Sequence, residues 1–60
     1  MKLKTKKQRE KFIQTIKELR EETNHHEKID YSDFEYLKGL WERAQNTKQA
    51  KKYIKNELGW

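Results

Sequence analysis

The residues with most chemistry to offer are lysines. Lys48, Lys51, Lys52 and Lys55 recur once or twice per turn of a helical segment and fall within an arc of roughly 100° on a wheel. A stripe of that kind can follow a polyanionic backbone, neutralising phosphates and releasing their counter-ions. It is equally what a lysine-rich helix presents to water when nothing binds it. Gln49 and Asn56, on the same segment, are amides of the type that read base edges.

Other chemistries are thinly represented. His25-His26 is the only histidine pair. Neighbouring residues do not share a helix face, and a transition-metal site needs three or four converging ligands, so the pair reads as a solvated loop and no metal is expected. Ser32 is the only serine and is explained as a helix cap, while cysteine is absent, which removes thiolate chemistry and disulfides together. No glycine-rich phosphate loop is present. No catalytic residues and no cofactor are expected, and the chain reads as a non-enzyme. Tyr31, Tyr36, Trp41, Tyr53 and Trp60 are many aromatics for 60 residues. Trp41 and Tyr53 belong to a core. Tyr36 and Trp60 lie off the apolar stripes and are candidate interface aromatics, the residue types that anchor protein contacts or stack on bases.

The elements that must position these residues are helical. The chain has no proline and is rich in Lys, Glu, Gln and Leu, a composition that favours helix over strand. A first helix begins at a capping box, Thr5 with Gln8, and runs to Glu22 or Thr23 with a narrow stripe of Phe12, Ile13, Ile16 and Leu19. After the loop Thr23–Lys28, a second capping box, Ser32 with Glu35, starts a helix with Phe34, Leu37, Leu40, Trp41 and Ala44 in an arc of roughly 120°. Tyr31 and Tyr36 take the positions of a hydrophobic staple around that start. Asn46 and Thr47 offer caps for a third helix carrying Ala50, Tyr53, Ile54 and Leu58, and Gly59 is placed to end it. Residues 1–4 read as a frayed basic tail, with Met1 and Leu3 outside the core.

Three short amphipathic helices predict an all-α fold, a small three-helix bundle formed by a single domain over 1–60; a helical hairpin that dimerises is the alternative. A domain of this size buries only about 60% of its unfolded surface, so its core is thin and either a monomer or a homodimer is compatible with it. No apolar run reaches the roughly 18 residues of a membrane span, and no apolar segment follows the basic start as in a signal peptide. A cytoplasmic protein that does not enter membranes is expected.

Charge is distributed in blocks. Residues 1–17 carry seven positive side chains and one negative, residues 18–37 two and seven, and residues 38–60 six and two, within a formal net charge of +5. Lys6, Lys7 and Arg9 open the first helix and Glu18, Glu21 and Glu22 close it; Lys48, Lys51 and Lys52 open the third. That placement opposes the helix dipole, which favours acids at helix starts and bases at helix ends. In an up-down-up bundle the starts of the first and third helices would meet, with Arg43 from the end of the second. The expectation is a basic pole of Lys6, Lys7, Arg43, Lys48, Lys51, Lys52 and Lys55, opposite an acidic pole. Two functions fit it. One is a small regulatory protein that binds nucleic acid, DNA or RNA, through the pole. The other is a protein-binding regulator, an inhibitor or antirepressor, docking on an acidic protein surface. The second and third helices also suggest a weak helix-turn-helix, with a connection of about two residues.

Overall fold

A computed structural model describes residues 1–60 and contains three helices, α1 (Lys6–Thr23), α2 (Tyr31–Arg43) and α3 (Thr47–Leu58), with no strand. The all-α three-helix fold expected from the three apolar stripes is therefore the one observed.

Each helix starts at a short polar side chain. Thr5 caps α1: its hydroxyl accepts from the Gln8 backbone N–H at 3.1 Å, and Gln8 Oε1 accepts from the backbone N–H groups of Thr5 and Lys4. Asn46 caps α3 in the same way through Gln49 N–H, and Gln49 Oε1 turns back to the Gln45 N–H. These bonds satisfy donors that a helix start leaves orphaned. Asn24 and Gly59 end α1 and α3 in the left-handed conformation, at φ 55° and 72°. Only Gly59 adopts it without a steric penalty.

The start of α2 differs from the expected one. Its cap is Asp30, which accepts from the Asp33 N–H at 3.1 Å; Ser32 lies inside the first turn and donates to Asp30 instead of capping. Moving the start by two residues moves the staple as well. The positions flanking this cap are Ile29 and Phe34, both packed against the core, whereas Tyr31 and Tyr36 are 78% and 50% exposed. Burial explains the choice, because an aliphatic and a phenyl side chain gain more from that site than two phenols.

The core is Phe12, Ile16, Leu19, Leu37, Trp41, Ala44, Ala50 and Ile54. Phe12 joins α1 to α2 through its ring, 5.3 Å from the centroids of both Phe34 and Trp41 and inclined to each. Ile13 is exposed, in contrast to the expected stripe, and Thr15 is buried in its place. On the wheel Thr15 falls about 60° from Phe12 and Ile13 about 100° away on the other side. The Thr15 hydroxyl is satisfied by donating to the Lys11 carbonyl at 2.8 Å, which makes its burial tolerable. Gly39 is half-buried on α2, and an added Cβ would meet nothing within 4 Å. No backbone of this chain uses the room it leaves.

Residues 1–4 are not a free tail. Met1 and Leu3 pack against the core, and the Met1 amino group donates to the carbonyls of Trp41, Glu42 and Ala44 at 2.9, 2.8 and 2.6 Å. A cation thus meets the negative end of α2 and the carbonyls that end leaves free.

Candidate polyanion-binding face

The junction between α2 and α3 decides where the lysines lie. Ala44, at ψ 147°, and Asn46, at φ −155° and ψ 171°, are extended. They swing α3 across the last turns of α1. Lys51 Nζ lies 3.1 Å from Glu22 Oε1 and 3.5 Å from Glu18 Oε2, both on the C-terminal half of α1. The first turns of α3 therefore meet the acidic end of α1 and not its basic start.

The start of α3 consequently does not join that of α1 in a shared basic pole as expected, and only four of the seven candidate residues line one hollow. Lys48, Lys51, Lys52 and Lys55 line one open hollow of about 320 Å³ together with Leu19, Glu22 and Asn56. Lys6 and Lys7 are exposed in the first turn of α1, where Lys7 borders a shallow surface made only of Thr5, Gln8, Glu10, Lys11 and Gln14. Arg43 is exposed in the last turn of α2 and lines neither hollow. The charge blocks of the sequence are adjacent here instead of polar opposites.

Within the hollow the four lysines are not equivalent. Lys48, Lys52 and Lys55 are exposed and make no ion pair, while the Lys51 side chain is 27% exposed and holds both carboxylates. The hydrogen bond to Glu22, followed by the charges of Glu22 and Glu18, raises the Lys51 pKa above the usual lysine value against a desolvation that lowers it. Lys48 to Lys55 spans about 10 Å of helix at 1.5 Å per residue. An exposed, evenly charged ridge of that length can meet successive phosphates of a strand, with the Asn56 amide beside it. Gln49 is less suited to reading bases, since it is half-buried and its Oε1 is engaged by Gln45.

The two candidate interface aromatics also differ. The Trp60 ring crosses to the loop after α1 and stacks on His25, with centroids 5.2 Å apart and planes 6° from parallel; the Arg20 guanidinium lies 6.0 Å from its centroid. That stack was not legible beforehand, because its partners are 35 and 40 residues away. It also takes His25 out of the expected solvated pair: its Nδ1 is buried without a hydrogen-bond partner, while His26 stays exposed beside Asn24 Oδ1. No group of three or more potential ligands is placed to hold a metal. Tyr36 remains half exposed. On the other side of α2, the neighbouring Glu35 raises the Tyr31 phenol pKa, while Tyr31 and then Lys38, 3.1 Å from Glu35, lower that of the Glu35 carboxylate.

A second hollow of about 290 Å³ is more apolar. Leu3, Phe12, Ile13 and Phe34 line it, with Arg9, Lys38 and Glu42 at its rim. No helix is long and apolar enough to cross a membrane. Compared with known proteins, the chain matches no family model, no curated relative and no solved structure.

Proposed function

We propose that this is a small, non-enzymatic nucleic-acid-binding protein of a regulatory or accessory kind, and that its contact face is the outer ridge of α3. The observation that carries the reading is the line of exposed, unpaired Lys48, Lys52 and Lys55 along one helix face. Contacts of this type go to phosphates, so the expected binding depends on the backbone and its shape more than on base sequence.

Titration of labelled duplex and single-stranded DNA tests it. If three lysines each neutralise a phosphate, the slope of log K against log salt on duplex is about −2.7, and affinity falls about 40-fold between roughly 50 and 200 mM salt. Lys48→Glu/Lys52→Glu should abolish binding while leaving the helical circular dichroism intact. Absence of binding to either DNA at low salt removes the reading. Binding that survives this double reversal places the contact elsewhere.

A second reading, docking on an acidic protein surface, is favoured by a different observation. The hollow over Phe12 and Phe34 leaves Ile13 43% exposed beside Arg9 and Lys38. An apolar side chain flanked by carboxylates would complement it. Ile13→Asp would abolish such docking and leave DNA binding by α3 unchanged.

A further inference from the structure

Lys51 occupies the middle of the lysine ridge and yet differs from its neighbours in having its charge already answered. One ammonium faces two carboxylates, at 3.1 and 3.5 Å, from a different helix. Glu22 also lines the hollow that the four lysines share. A phosphate neutralised by a lysine sheds the cations condensed around it, and that release drives polyanion binding. A lysine balanced by a carboxylate of its own chain neutralises no phosphate and so releases no cation from the strand. The carboxylates stay in place and repel whatever anion approaches.

We propose that Glu18 and Glu22 act as a built-in counter-ion of the hollow, so that Lys51 holds these carboxylates and not a phosphate. This rests on the polyanion reading of α3 and gives it a ligand class. A compact single phosphate would have to enter the centre of the hollow, where Glu22 opposes it. A strand can instead place successive phosphodiesters on Lys48, Lys52 and Lys55 and pass over Lys51. The favoured ligand is an extended run of phosphates, and Glu22 sets how tightly it is held. One carboxylate of the hollow opposes each phosphate that approaches it. After salt screening, that is a change of about three- to tenfold in affinity.

Salt-dependent binding of a labelled single-stranded oligonucleotide and of the matching duplex tests the assignment. Glu18→Gln/Glu22→Gln should raise affinity about three- to tenfold at roughly 50 mM salt, and should steepen the slope on duplex by about 0.9, because Lys51 is then free to neutralise a phosphate of its own. Glu21→Gln/Glu27→Gln changes net charge equally at exposed positions outside the hollow, and should alter the slope much less. Independently, Lys51→Gln should leave the slope of the otherwise unchanged protein where it was, whereas Lys52→Gln should flatten it by about 0.9. Inorganic phosphate should compete more effectively against the Glu18→Gln/Glu22→Gln variant than against the unaltered protein.

The inference is overturned if Lys51→Gln flattens the slope as much as Lys52→Gln, or if the Glu18→Gln/Glu22→Gln variant binds no differently from the charge-matched control. Either result leaves the polyanion reading standing, with Lys51 as an ordinary phosphate contact. If the unaltered protein and every variant fail to bind, the polyanion reading itself is lost and this inference with it. Should circular dichroism show that the double glutamine variant does not fold, the Lys51→Gln and Lys52→Gln slopes decide alone.

Discussion

The two halves of α1 are held by different physics. Toward its N-terminus, the Phe12 ring is 1% exposed and meets Phe34 and Trp41 of α2 at 5.3 Å. Toward its C-terminus, Leu19 is buried, but around it α3 is fastened at the surface by Lys51 on Glu18 and Glu22 and by Trp60 on His25. Buried aromatic contact is strong and insensitive to salt, whereas exposed ion pairs contribute about 0–1 kcal/mol and are screened. The contrast teaches that one helix can keep its stability at one end and its adjustable charge at the other. The candidate binding face is at the adjustable end.

Phe12→Ala should have the largest effect. Loss of a fully buried phenyl costs about 3–5 kcal/mol, which is comparable to what a core this small supplies in total. The expected outcome is a chain that is largely unfolded by circular dichroism at 25 °C. Measuring it in a Gly39→Ala background, which adds about 1 kcal/mol of helix propensity at an open site, would bring the transition within range of urea titration. Trp60→Ala should cost less, about 1–2 kcal/mol, since the ring is only half-buried and its stack on His25 resembles other aromatic pairs. A loss equal to that of Phe12→Ala would mean the C-terminal half is fastened as firmly as the other, and the contrast would fail.

The ion pairs should matter least to stability. Lys51→Met keeps most of the stem and should change the unfolding free energy by no more than about 1 kcal/mol, less as salt rises. The pH dependence has a definite sign. Because the folded Lys51 pKa is raised above its unfolded value, the stability it adds is present below the ordinary lysine value. It is lost as pH climbs through the folded one. Melting of the unaltered protein and Lys51→Met should therefore converge above about pH 10.5. Curves that stayed apart there would mean packing, and not charge, separates the two proteins.

Local signals in the sequence carried most of the fold. Thr5 with Gln8, Asn46 before α3 and Gly59 after it are all decided within a few residues, and each acts as expected. The start of α2 was ambiguous because Asp30 with Asp33 and Ser32 with Glu35 have the same spacing. Only the burial of Ile29 and Phe34 separates the two, and burial is a tertiary property. Thr15 was legible on the wheel, but its polarity hid it; the hydroxyl's bond to the Lys11 carbonyl removes that objection. The site was less legible. The stripe of four lysines can be read from spacing alone, but not which end of α1 it would meet. That depends on the three residues between α2 and α3: Asn46 is extended as a helix cap is, but nothing nearby in the sequence sets the extended backbone of Ala44. The pairing of Lys51 with Glu22, 29 residues apart, follows from it.

The brevity of that junction also bears on how the chain acquires its shape. α2 and α3 are sequence neighbours that pack on one another, so their pairing closes a very short loop and forms quickly once both exist. α1 precedes both of its partners: Phe12 awaits Phe34 and Trp41 of α2, and the contacts with α3 await residues 47–58. At about 5–20 residues per second, α1 precedes the completion of α3 at Leu58 by roughly two to seven seconds. An isolated helix of 18 residues with a narrow apolar stripe is marginal in water. Until α2 and then α3 follow, Phe12, Ile16 and Leu19 are open to any chaperone or neighbouring nascent chain. Co-translational quality control should therefore meet this protein chiefly through α1.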